Sequence, residues 1–267
     1  MFRPYDMHMH TVFSTDSETP MEALAEAAIS RGIAGIAITD HYNPDYPNPV
    51  HRTGQPTQAY HRAMEGLAEA YAGRVEVLKG IEMGILPGDT MARCEAAARD
   101  YAYDFILASF HATPERTFDD MARDPACKVE AVFRQYYEQV LSCIKRFKDY
   151  DVLAHLNLVD RYAPYVPDDS LYGDLVDEIL RIAAADGKGL EVNTASWRYG
   201  MGERTTPPPA ILRCFRELGG EYVTVGSDAH TPKWLGDHLD EGCQLLRDSG
   251  WKYCTVYRQR RPCPIRL

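Results

Sequence analysis

Polar side chains capable of chemistry recur at the carboxyl ends of the candidate strands, and this placement constrains the fold more than any other feature. His8 and His10 end the first β-like run, residues 5–9. His41 follows 33–39, Glu82 follows 75–81, His111 follows 105–109 and His155 follows 152–154. Asn193 follows 189–192, and Asp228 and His230 follow 222–226. Between positions 10, 41, 82, 111, 155, 193 and 228 the separations run from 29 to 44 residues, each about one strand–helix–strand repeat. Six of the nine histidines belong to this set, so coincidence is a poor account of it. In a parallel barrel the carboxyl ends of the strands converge on one face, where active sites sit.

The intervening segments read as helices. Thr19-Pro20-Met21-Glu22 has the form of a capping box with proline at the first helical position, and Leu24, Ala27 and Ala28 give an apolar stripe ending at Gly32. Residues 171–185, with Leu175, Ile179, Ile182 and Ala183, close at Gly187. Pro207-Pro208-Pro209 leads into Ile211, Leu212, Phe215 and Leu218, closing at Gly219. The strand runs are short and uniformly apolar, as for strands buried on both faces, and strand–helix alternation implies a parallel α/β sheet. A further strand is expected at 253–257. No repeat or linker divides the chain, so residues 1–267 are expected to form one domain. The proline-rich stretch 42–57 is expected to be a long, functional loop.

Composition narrows the function. Hydrophobic residues make up 45% and charged residues 25%, as in ordinary globular chains. The formal net charge of −10 disfavours binding to a long phosphate backbone. One small anionic substrate remains open, because metals or arginines can reverse the field locally. The seven cysteines are odd in number and have no CxxC pair, so reduced thiols are expected. With no apolar run near 18 residues and no signal-peptide pattern at the start, the expected location is the cytoplasm and no membrane partner is expected.

The donor types suggest metal. His8-x-His10 puts two imidazoles on one side of a strand, because side chains alternate with period 2, and Asp228-x-His230 repeats the pattern. Imidazole and carboxylate suit zinc, iron or manganese, and the lack of cysteine in the set argues against a structural zinc site. One ion would be over-supplied, so two or three are expected, with Glu82 able to bridge. His51, His61 and His238 lie outside the pattern and read as structural. Asp6 and Asp40 read as hydrogen-bonding support for the donors. Asp16, in the polar turn Ser14-Thr15-Asp16-Ser17, fits a solvated loop and a ligand equally.

These segments resemble the PHP (polymerase and histidinol phosphatase) family of metal-dependent phosphoesterases. The matching stretches are Asp6-Met7-His8-Met9-His10, Thr39-Asp40-His41, Gly80-Ile81-Glu82, Ser109-Phe110-His111, Leu153-Ala154-His155 and Gly226-Ser227-Asp228-Ala229-His230. They span nearly the whole chain in order. The stretches 155–162, 190–194 and 217–220 are most similar to the histidinol-phosphatase branch. The resemblance implies a distorted seven-stranded (β/α) barrel with a trinuclear metal site. It implies His8, His10, Glu82 and Asp228 on the first metal, and bridging Glu82 with His111 and His155 on the second. Asp16, His41 and His230 would hold the third. It also implies Arg161 and Arg198 as phosphate ligands, a role that suits the guanidinium fork. Two departures bear on the substrate: residues 112–117 do not align with the branch, and Asn157 stands where many relatives have aspartate.

The activity implied is hydrolysis of a phosphate monoester, L-histidinol phosphate, to L-histidinol and phosphate in histidine biosynthesis. One alternative is a PHP phosphoesterase acting on a nucleotide or oligonucleotide end. Another is a non-catalytic metal-binding regulatory module, against which the full ligand set counts.

Overall fold

The structure is a computed structural model that describes residues 4–202 and 204–267. The strands are β1 (Tyr5–Asp6), β2 (Gly35–Ile38), β3 (His41–Tyr42), β4 (Glu76–Gly84), β5 (Phe105–Ser109), β6 (Val152–Leu153), β7 (Gly189–Asn193) and β8 (Val223–Gly226). Their order in the sheet is β1-β2-β4-β5-β6-β7-β8, and every pairing along it is parallel. The short β3 carries the β2 side onward, pairing His41 with Glu82 on β4. The sheet nearly closes: Met7 N–H donates to Val225 O at 3.0 Å, and Met9 forms a parallel bridge with Ala229. The result is the expected seven-stranded α/β barrel, and β2, β5, β7 and β8 are buried along their whole length.

Helices α1 (Met21–Ser30), α2 (Gln58–Ala70), α3 (Asp89–Arg99), α4 (Phe118–Arg123), α5 (Val129–Ile144), α6 (Val159–Tyr162), α7 (Gly173–Ala185), α8 (Ala195–Arg198), α9 (Pro209–Glu217) and α10 (Leu239–Asp248) occupy the connections. The larger apolar core lies between helices and strands; for example, Leu24, Ile36, Phe133, Ile179 and Leu212 are all fully buried. Each such side chain contributes about 1.5–3 kcal/mol relative to exposure. Gly32, Gly187 and Gly219 end their helices at φ +68°, +64° and +90°, the left-handed stop expected of them. No helix among the described residues is long and apolar enough to cross a membrane.

Two expectations need correcting. Thr19 does not cap α1: Pro20 takes the capping position without a side-chain bond, and Thr19 Oγ1 donates instead to His230 O at 2.8 Å. A tertiary acceptor has displaced the local one. The strand expected at 253–257 forms, but in a separate hairpin rather than in the parallel sheet. It is β9 (Tyr253–Arg258), antiparallel to β10 (Arg261–Arg266). The turn residues Gln259 and Arg260 both take positive φ, +51° and +63°, as a two-residue primed turn requires. Neither is the usual Asn or Gly, and β10 holds Pro262 and Pro264, tolerated because it is an edge strand. This hairpin plugs the end of the barrel opposite the histidines. Val256 and Tyr257 pack on Met7, Leu78, Phe105 and Leu107 inside it. Arg258 pairs with Glu76 at 2.6 Å, and Arg260 with Asp151 at 2.6 Å, at the amino ends of the strands.

Candidate metal centre

All nine residues expected to bind metal come together at the carboxyl face of the barrel. Fully buried Glu82, on β4, is the hub. Its Oε1 lies 2.9 Å from His155 Nε2 and 3.4 Å from His111 Nε2. Its Oε2 lies 2.7 Å from His41 Nδ1, 3.4 Å from His8 Nε2 and 3.5 Å from His10 Nε2. Asp228 Oδ1 is 3.3 Å from His10 Nε2 and 3.7 Å from His8 Nε2. Asp16 Oδ2 is 3.4 Å from Nε2 of both His41 and His230, so the polar turn does face the cluster. His155 and Asp228 take positive φ, +28° and +53°, uncommon for non-glycine residues and typical of constrained sites. Gly226 allows β8 to approach β1: a Cβ there would lie 2.5 Å from His8 Cβ and 2.8 Å from Glu191 Oε1.

Hydrogen-bond bookkeeping shows which nitrogens are free. Ser14 Oγ donates to Asp40 Oδ1 at 2.7 Å, so at 3.1 Å it accepts from His10 Nδ1. The Nε2 of His10 therefore carries a lone pair. His8 Nδ1 is engaged by Glu191 Oε1 at 2.6 Å. Yet His8 Nε2 and His10 Nε2 face each other at 3.1 Å, with carboxylate oxygens of Glu82 and Asp228 alongside. Such an approach requires positive charge between the groups: a proton in the metal-free protein, or a cation. Glu82 Oε2 and His41 Nδ1 are both buried and, despite their 2.7 Å separation, neither makes a hydrogen bond of acceptable geometry among the described residues. The donor set fits divalent cations. In each of the sets His8/His10/Glu82, His41/Glu82/His111 and His10/His41/His230, the donor atoms lie within 4.8 Å of one another.

The electrostatics agree. Burial pulls His8 down, but Glu191, Glu82 and Asp228 outweigh it and hold the imidazole well above its ordinary value. Burial opposes the charge on His41 and His230 too, and is overcome by Glu82 and Asp16 for the first and by Asp16 and Asp228 for the second. His10 goes the other way, pushed down to about 3 by burial and by the neighbouring His41 and His230. Burial alone would raise Glu82 and Asp228, but the surrounding imidazoles hold both well below the usual carboxylate range. Metal binding would thus displace protons from imidazoles beside carboxylates that are already ionised.

Outer contacts hold the cluster. Asp40 accepts from Thr11 N, Thr11 Oγ1 and Ser14 Oγ at 2.6–2.8 Å. Asp6 accepts from Ser227 N and Gly236 N at 2.8 Å. Both act as the support expected of them. Sequence reasoning missed Glu191. Buried on β7, it accepts from His8 Nδ1 at 2.6 Å and His155 N at 2.8 Å. Asn193 Nδ2 donates to Glu191 Oε2 and Asp228 Oδ2, both at 3.3 Å. The available signal was period 2: Glu191 stands two residues before Asn193 and so shares its inward face.

A cavity of about 380 Å³ opens over the cluster. Arg161, Tyr46, Tyr162 and Tyr199 line its walls, and so does His51 from the long proline-rich loop. Arg198 stands beside Tyr199, 5.5 Å from Cζ to the ring centroid, and its Nη atoms donate to Ser227 O and Asp228 O at 3.2 Å. His61 is remote from the cavity, stacked on Tyr101 with 3.8 Å between ring centroids. His238 lies 3.2 Å from Glu241 and stacks on Trp197.

A nearly closed parallel barrel with clustered imidazoles and carboxylates under a cavity at its carboxyl face defines a metal-centred α/β-barrel protein. A PHP domain model matches residues 6–195. The chain belongs to the PHP domain family. It is 28% identical to a probable histidinol-phosphatase of Clostridium acetobutylicum, over 96% of this chain and 97% of that one. It is 30% identical to a probable histidinol-phosphatase of Thermotoga maritima, over 94% of each. The fold matches the crystal structure of histidinol phosphate phosphatase from Lactococcus lactis, complexed with zinc, L-histidinol and phosphate. The TM-score is 0.86 at 24% identity, covering 98% of this chain and 99% of that one.

Proposed function

We propose that this protein is a metal-dependent phosphomonoesterase that hydrolyses L-histidinol phosphate to L-histidinol and phosphate. The observation that carries the chemistry is the convergence of imidazole nitrogens and ionised carboxylates on Glu82 beneath an open cavity, a donor set suited to divalent cations. The substrate rests on likeness over nearly the full length to histidinol-phosphatases. His8, His10, Glu82 and Asp228 would hold one ion; Glu82, His111 and His155 a second; Asp16, His41 and His230 a third. Bound divalent cations supply Lewis-acid polarisation of the phosphoryl group and a lowered pKa for water.

The chain's own residues do the rest. Glu191 and Ser14 set the proton positions on His8 and His10, so that Nε2 of each is presented to the site. Arg161 lines the cavity, and its buried Nε and Nη2 have no hydrogen-bond partner among the described residues; a guanidinium there suits the equatorial oxygens of a transferring phosphoryl group. Arg198 steadies the backbone that carries Asp228. We read residues 1–267 as one domain and place it in the cytoplasm, a location supported by seven cysteines that are all free thiols. Purified protein loaded with zinc, manganese or iron is expected to release phosphate from L-histidinol phosphate far faster than from sugar phosphates, nucleotides or oligonucleotides. Equal rates across these substrates would overturn the substrate assignment.

A further inference from the structure

Both arginines lie over the Tyr199 ring, Arg161 at 4.4 Å and Arg198 at 5.5 Å from Cζ to its centroid, but their hydrogen bonds differ. Arg198 is tied to carbonyl oxygens. Arg161 is largely buried, yet its Nε and Nη2 find no hydrogen-bond partner among the described residues. Asp228 Oδ2 stands off at 3.7 Å from Nη2. What the guanidinium does touch is the face of Tyr199, with 4.4 Å from Cζ to the ring centroid. Tyr199 is 55% exposed and forms part of the cavity wall. Its place is set by the end of α8, where Tyr199 N–H donates to Ala195 O at 2.9 Å.

An aromatic face and a carboxylate would restrain Arg161 with different consequences. A carboxylate would take up the N–H donors along the edge of the fork and compete with an incoming phosphate. A ring holds the plane of the guanidinium through its quadrupole and leaves the edge donors open.

We propose that Tyr199 is a positioning residue for Arg161, holding the guanidinium flat so that its free donors meet the phosphate ester. The proposal rests on the reading of Arg161 as a phosphate ligand. The test is a double-mutant cycle in the zinc-loaded protein. Binding of inorganic phosphate is measured by calorimetry, kcat and KM are measured alongside, and thermal melts confirm folding. Tyr199→Leu is expected to weaken phosphate binding roughly 3- to 30-fold, and Tyr199→Phe, which keeps the ring, to stay within about twofold of the parent. In an Arg161→Ala background Tyr199→Leu is expected to add nothing. If Arg161→Ala leaves phosphate binding unchanged, the phosphate-ligand reading fails and takes the proposal with it. If Arg161→Ala weakens binding but Tyr199→Leu has no effect, or its effect persists undiminished without Arg161, the proposal alone is overturned.

Discussion

Replacing Glu191 with glutamine tests how far the metal donors depend on a residue that has no place in the cavity wall. The carboxylate accepts from His8 Nδ1 at 2.6 Å through Oε1 and from His155 N at 2.8 Å through Oε2. Glutamine keeps the shape but offers only one acceptor oxygen. If that oxygen serves His8, the amide NH2 faces His155 N–H, and a buried donor is left unpaired at a cost of about 1–3 kcal/mol. If it serves His155, the NH2 faces His8 Nδ1 and favours the tautomer with its proton on Nε2, which cannot ligate. Either arrangement weakens the centre, and loss of such support typically costs 10- to 100-fold in metal affinity, roughly 1.4–2.7 kcal/mol. Zinc affinity measured by chelator competition is expected to fall within that range, with the barrel still folded by circular dichroism. An E191Q protein that holds zinc as tightly as the parent would refute the reasoning.

Two further outcomes are expected. Asp160 is buried, and desolvation raises its pKa to about 6 despite the bond from Asn157 and the charge of Arg204. The folded state therefore binds more protons than the unfolded state between about pH 4 and 6, so the stability contribution falls as pH rises through that window and stays low above it. Asp160→Asn keeps an acceptor for Asn157 Nδ2 and removes the buried charge. It is expected to raise stability at pH 8 by up to about 3 kcal/mol and to change little at pH 4; urea melts showing an equal effect at both pH values would contradict this. Gly226→Ala would press a methyl against His8 Cβ and Glu191 Oε1. It is expected to cost about 1–3 kcal/mol and to loosen metal binding; an unchanged melting temperature would show that β1 and β8 can separate freely.

Much of the centre was legible from local rules. The i, i+2 spacing of His8-x-His10 and Asp228-x-His230 flagged both pairs, although β1 ends at Asp6 and β8 at Gly226, so each pair lies just beyond its strand; the spacing of His41, Glu82, His111 and His155 follows from the length of a strand–helix repeat. The stops at Gly32, Gly187 and Gly219 follow from the freedom of glycine at positive φ. Thr19 misled because a hydroxyl near a helix start can cap it or bond elsewhere, and the carbonyl of His230 is available only once β8 lies beside β1.

The sequence by itself determined a parallel α/β fold with a polar, metal-suited carboxyl face, because both conclusions rest on periodicities of a few residues or one repeat; closure into a barrel was implied only by the family resemblance. Only the tertiary structure decided how that face is organised. The bond from His8 to Glu191 joins residues 183 positions apart, and barrel closure creates it. Closure likewise makes Glu82 the hub, sets the Nε2 atoms of His8 and His10 face to face, and ties Arg198 to backbone carbonyls while Nε and Nη2 of Arg161 stay unpaired. Strand spacing predicts which end of the barrel a side chain occupies; which atom it meets there depends on register, closure and rotamer together.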